Sequence, residues 1–151
     1  MKARGKSTFH KKFKGQSLME FGVGLVVLLI LLAGLFDVGR MIFTYLTMRD
    51  SAQEGAAFGS VYPTHCFQVE DRALSGLSDP GSVQVSVMIN NKPCISASNV
   101  DACLGNPIQI TLTNPAFPIV MPLIGTFLGG QTVSLSATVT DTIIRTPCNV
   151  P

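Results

Sequence analysis

Residues 21–36 read FGVGLVVLLILLAGLF, sixteen positions without a charged or polar side chain, bounded by Glu20 and Asp37. As a helix this run is about 24 Å long, somewhat short of the roughly 30 Å hydrocarbon core of a bilayer. Taking in Ser17, Leu18 and Met19 before it and residues 38–43 after it lets a tilted helix span. Upstream, Lys2, Arg4, Lys6, Lys11, Lys12 and Lys14 place six of the eleven basic residues in the first fourteen positions, with no acid among them. By the positive-inside rule this arm predicts a cytoplasmic N-terminus and an extracytoplasmic C-terminus.

A secretory signal peptide shares the basic arm and apolar core, but it ends at a small-x-small cleavage site followed by unrelated mature sequence. Here the helical pattern runs on. Val38, Met41, Ile42, Tyr45, Met48, Ala52 and Ala56 fall on one face, Arg40, Thr44, Thr47, Asp50, Ser51 and Glu54 on the other, and no proline occurs before Pro63. The spacing predicts one helix over 16–59, about 65 Å long, apolar all round in its first half and amphipathic in its second.

The charge balance divides the same way. Beyond the arm, five basic residues face nine acids, a net −4 where the whole chain shows +2. Only 13% of residues are charged and 46% are hydrophobic, against roughly 25% charged in ordinary soluble domains. A freely soluble monomer is therefore not expected. Nor is nucleic-acid binding, which needs Lys and Arg spread over a folded surface rather than gathered in a terminal arm.

Glu20 at the edge of the apolar run has an ordinary reading as a solvated helix-start carboxylate favoured by the helix dipole. Its spacing adds another, because it lies five residues after Gly15, where the basic arm ends. A small residue outside a helix lets a peptidase reach the chain at the membrane face. A cut after Gly15, which the resemblance described next implies, would free the amine of Gln16 one helical turn from a carboxylate on an apolar rod. An unpaired carboxylate within apolar packing costs several kcal/mol, so it seeks a cation, such as a neighbouring subunit's amine.

The segment Gly15-Gln16-Ser17-Leu18-Met19-Glu20-Phe21 resembles the prepilin processing site of the type IV pilin superfamily. Further on, Gly34-Leu35-Phe36-Asp37-Val38-Gly39-Arg40, Tyr45 and Ala52-Gln53-Glu54-Gly55-Ala56-Ala57 resemble the TadE family, pilin-like proteins of the tight-adherence (Flp) pilus system. Glu20-Phe21 stands for the family's Glu-Phe pair, Asp37 takes the acidic place of its Gly-x-x-(Glu/Asp)-x-Gly-Arg segment, and Glu54-Gly55-Ala56 matches the last motif. Many members carry a proline six residues after the glutamate, where this chain has Val26, so no kink is expected there. The resemblance implies cleavage by a prepilin peptidase and pilus-assembly partners. Major Flp pilins are generally much shorter, which implies a minor role.

Read as residues alone, Asp37 and Arg40 are three apart and are expected to pair on one helix face. Gly34, Gly39, Gly55 and Gly59 are poor helix formers that permit close packing, here expected against another subunit or partner.

After Pro63 the texture changes to short elements. Residues 69–77 suggest a short helix, and 78–81 a turn. Residues 82–89, 108–113 and 131–144 alternate apolar and polar positions, three strands with one wet face. Residues 90–93 break the first of them. The proline-punctuated run 115–130 is too irregular for a strand and is expected to fold over the sheet edge as core, the other reading being an exposed patch for a partner or the membrane surface. The fold class expected is α+β, a long N-terminal helix packed on a small antiparallel sheet with disulfides. Three parts follow: a basic leader (1–15), a long helix (16–60) and a β-rich domain (61–151).

The cysteines are Cys66, Cys94, Cys103 and Cys148, none spaced as C-x-x-C, so a zinc or thioredoxin-like site is not expected. Cys94 and Cys103 share the long loop between the first two strands, while Cys66 follows the helix and Cys148 the last strand. Among three possible pairings, Cys94–Cys103 with Cys66–Cys148 is the one expected. His65 beside Cys66 suggests a thiol and its base, but sequence neighbours rarely point at each other and no third orienting residue is apparent. No catalytic, metal-binding or cofactor motif is found.

The sequence thus points to a non-enzymatic, TadE-like minor pilin or pseudopilin without cofactor or metal. It would span the cytoplasmic membrane once, with peptidase, pilin-like subunits, assembly machinery and membrane as partners. The alternative is an unprocessed membrane-anchored scaffold or binding protein.

Overall fold

A single helix, α1 (Gln16–Val61), runs for 46 residues without interruption. In this computed structural model the described residues are 15–121, 125–126 and 129–144. The basic arm and Cys148 lie outside them. Five further elements follow among the described residues: α2 (Cys66–Ser75), β1 (Gln84–Ile89), β2 (Lys92–Pro93), β3 (Pro107–Pro118) and β4 (Thr132–Thr142). The strands form one antiparallel sheet in the order β2-β1-β3-β4. The expected α+β class is observed: a long apolar helix packed on a small antiparallel sheet.

The alternating strands bury the expected face. Ile108, Ile110 and Leu112 of β3 are fully buried, and they join Val87 and Ile89 of β1, Ala137 of β4, Val69 and Ala73 of α2, and Met48, Ala52 and Ala56 of α1 in one core. The other face of the sheet carries hydroxyl pairs, Thr111 with Thr138 at 3.1 Å and Thr113 with Ser136 at 3.3 Å. Such cross-strand pairs suit a wet surface.

The stripe that α1 buries is rotated from the expected one. Ile42 and Tyr45 stay 55% and 41% exposed, whereas Ser51, Gly55, Gly59 and Ser60 are buried beside Met48, Ala52 and Ala56. Closeness explains the difference. A Cβ on Gly55 would lie 2.7 Å from the Cβ of Ala73 and 3.0 Å from Ile110 Cδ1, and one on Gly59 would meet Ile108 Cδ1. Gly55 and Gly59, expected to serve contact with another subunit, instead let α2 and β3 approach their own helix.

Three local expectations are also corrected. Residues 90–93 do not simply end β1, because Asn90 and Asn91 adopt φ values of 47° and 63° and make a two-residue hairpin into β2. Asparagine tolerates this left-handed backbone well, which suits the primed turns of tight hairpins. The short helix starts at Cys66 rather than at 69. Residues 115–118 are strand, not irregular chain: β3 passes a bulge between Asn114 and Phe117 and continues against β4 to Pro118. Two prolines are accommodated there because β1 pairs with β3 only as far as Thr113, and a strand edge or bulge does not need the missing N–H.

The disulfide pairing differs as well. Cys66 at the start of α2 bonds to Cys94, which the β1–β2 hairpin brings to the same end of the domain, with Cα atoms 5.8 Å apart. Cys103 is also disulfide-bonded. The loop that a Cys94–Cys103 bridge was expected to tether is held instead by Asp101. Its carboxylate accepts hydrogen bonds from Lys92 Nζ at 2.8 and 3.0 Å, from the Ser98 amide at 2.9 Å and from the Ser98 hydroxyl at 2.7 Å.

The Lys92 ammonium, followed by the two Ser98 donors, holds the Asp101 carboxyl well below the usual carboxylate range. A carboxylate with a depressed native pKa adds stability above its unfolded value of about 3.9 and loses it as pH falls below that value. The domain is therefore expected to weaken in acid below about pH 4. Asp101→Asn should be less stable than the parent at neutral pH, with the gap closing in acid, as read by denaturant unfolding at several pH values.

Candidate functional site

The features of functional interest follow α1 from its start. Gly15 is the residue just before the helix, and its carbonyl accepts a hydrogen bond from the Met19 amide at 3.2 Å. Among the described residues nothing lies within 4 Å of where a Cβ on Gly15 would stand. Gln16 opens α1, and Glu20 and Phe21 are both exposed on it. From 16 to 36 every residue except the half-buried Gly34 is exposed. Those 21 residues make about 31 Å of helix, close to a hydrocarbon core. The segment is long and apolar enough to cross a membrane, compatible with a single-pass anchor.

Asp37 ends the bare rod. It is 3% exposed, and its carboxylate accepts hydrogen bonds from the Val120 amide at 3.3 Å and the Met121 amide at 2.7 Å. Arg40, one turn on, lies over the Phe117 ring with its guanidinium carbon 5.4 Å from the centroid, within cation–π range. The expected Asp37–Arg40 pair is not formed: the ion pairs among the described residues are Arg72–Glu54 and Lys92–Asp101. The reason is the length of β3. It runs antiparallel to α1 and delivers the chain that follows it, with the Val120 and Met121 amides, to the level of Asp37. The two charged members of the Gly-Leu-Phe-Asp-Val-Gly-Arg segment thus act as a double latch on the end of β3.

The remaining motif residues divide between the chain's own packing and open surface. Gly39 faces open space, and Gly34 stands 3.4 Å from Met121 Sδ measured from an added Cβ. Glu54 points outward to Arg72 at 3.8 Å, both more than half exposed, a contact of little energetic weight. Gly55 is the close-approach point described above. Sequence reasoning missed Phe117, Val120 and Met121 as partners of the helix motif. At the top of the helix, the Cys66 thiol is committed to Cys94, and His65 meets the Tyr62 ring edge-on at 5.8 Å.

The family model described as TadE-like protein matches residues 15–57, which takes in Gly15, Glu20, both latch residues and Gly55, and stops short of α2 and the sheet. No match is found among curated proteins or among solved structures. The family implies involvement in tight-adherence (Flp) pilus systems. The helix motifs thus lie on one uninterrupted rod, and residues 15–57 are similar to the TadE-like family.

Proposed function

We propose that the chain is made as a prepilin, cut between Gly15 and Gln16 by a prepilin peptidase, and used as a minor pilin or pseudopilin in Flp pilus assembly. The observation that carries this reading is the unobstructed Gly15 directly before an exposed apolar rod of membrane length, with Glu20 exposed near its start. Residues 1–15 form the cytoplasmic leader, 16–60 the helix and 61–151 the extracytoplasmic domain. The role is structural rather than enzymatic and needs no cofactor. After cleavage the Gln16 amine and Glu20 lie one turn apart. Where rods pack side by side away from water, each Glu20 finds a neighbour's amine, and that pairing sets the stagger between subunits. Gly39, with none of the described residues within 4 Å of an added Cβ, is open to a second helix.

Intact mass and N-terminal sequencing of the protein recovered from membranes test the proposal. The expected result is loss of residues 1–15 with Gln16 first. Retention of the leader would favour an unprocessed, membrane-anchored scaffold. Glu20→Ala is expected to be cut normally while piliation falls to near zero; wild-type piliation would remove the assembly role of Glu20.

A further inference from the structure

We infer that the chain just beyond β3, at Val120 and Met121, inserts into the outer leaflet beside α1, so that the protein holds the bilayer at a second point. The inference rests on the reading of α1 as a membrane span. Contacts along the helix give the depth. Ile108 packs at Gly59, Ile110 at Gly55, Phe117 at Arg40, the Val120 and Met121 amides at Asp37, and Met121 Sδ at Gly34. β3 and the residues that follow it therefore descend the helix to Gly34, inside the uncharged run 21–36. If the span begins at Gln16, its outer hydrocarbon edge falls near Phe36, and Gly34 lies about 3 Å below it.

Three observations fit a lipid environment there. Backbone amides near hydrocarbon must be given acceptors from within the protein, and the Asp37 carboxylate takes both. Val120 is 67% exposed, level with the exposed Leu35 and Phe36, so its side chain continues the apolar surface of the rod. No charged residue occurs between Asp101 and Asp141, so no charged side chain on this stretch opposes entry. Arg40, one turn above Asp37, sets its guanidinium over the Phe117 ring at 5.4 Å, and a long basic side chain of this kind suits the interfacial level. Water would leave the Val120 side chain exposed with no gain; the acyl region buries it together with the helix.

The chain contains no tryptophan, which permits single-tryptophan reporters. Val120→Trp, Leu32→Trp and Phe67→Trp full-length proteins would be reconstituted in phosphatidylcholine–phosphatidylglycerol vesicles containing acyl-brominated lipids. All three positions are exposed, and a non-reducing peptide map showing the Cys66–Cys94 link confirms that each variant has folded. The expected result is quenching of Val120→Trp, stronger with bromines near the headgroup than at mid-chain. Leu32→Trp should be quenched at greater depth and Phe67→Trp unquenched. A Val120→Trp signal that behaves like Phe67→Trp while Leu32→Trp is quenched overturns the insertion and leaves the span intact. A blue-shifted but unquenched Val120→Trp also overturns it, since protein rather than lipid then covers the site. An unquenched Leu32→Trp removes the span and the insertion together.

Discussion

Gly59→Leu is expected to destabilise the domain by about 3 kcal/mol or more, at or beyond the upper end of ordinary overpacking costs. At this position even a Cβ would collide with Ile108 Cδ1 and touch both methyls of Val69, and both partners are fully buried. Neither side can yield cheaply. α1 is a continuous helix at Gly59, and Ile108 is held on both sides, paired with Ile89 of β1 and Asp141 of β4. Against a total stability of roughly 5 to 15 kcal/mol for a small domain, such a loss is large. Gly39→Ala provides the opposite sign in the same helix. Its added Cβ meets nothing, so it should gain up to about 1 kcal/mol from helix propensity alone. Denaturant unfolding followed by protease resistance of the sheet would read both. Wild-type stability in Gly59→Leu would show that helix and strand do not approach as closely as described.

Removing the Cys66–Cys94 bridge by a double Ser substitution is expected to cost about 3.5 kcal/mol, by the chain-entropy relation applied to a sequence separation of 28 residues. The bridge joins α2 to the chain just after the β1–β2 hairpin, two elements that otherwise meet through a few core side chains such as Val69 and Ile89. The small size of the domain makes each cross-link a large share of its total. The double variant should unfold at a markedly lower denaturant concentration, with an unchanged α1 signal in membranes or detergent. A peptide map of the parent without reductant should show Cys66 joined to Cys94. A Cys66 link to any other cysteine would refute the pairing.

The long helix was legible because its evidence is local and repeated: an apolar run, then a 3.6-residue rhythm with no proline before Pro63. The face it buries was less so. A hydrophobic count favours Ile42 and Tyr45, but packing density is set by how near two backbones can come, and Gly55 and Gly59 win that contest. The strands were readable where alternation holds and lost at Pro115 and Pro118, whose tolerance depends on β1 ending earlier, a fact of the sheet and not of the segment. Cys66 found Cys94 because a two-asparagine turn redirected the chain. The TadE-like stretch could be read because its motif residues lie close together in sequence on one helix. The partners of Asp37 could not. They are main-chain amides 83 and 84 residues away, and amides have no sequence signature.

The unbroken α1 also has a geometric meaning for anything built from this subunit. Each residue turns the helix by about 100°, so the count of residues between Glu20 and Gly55 sets the compass bearing of the sheet relative to Glu20. No hinge separates the two. A subunit seated through its lower rod has its domain's azimuth already chosen, and a twist applied at one end arrives at the other as rotation of the whole sheet.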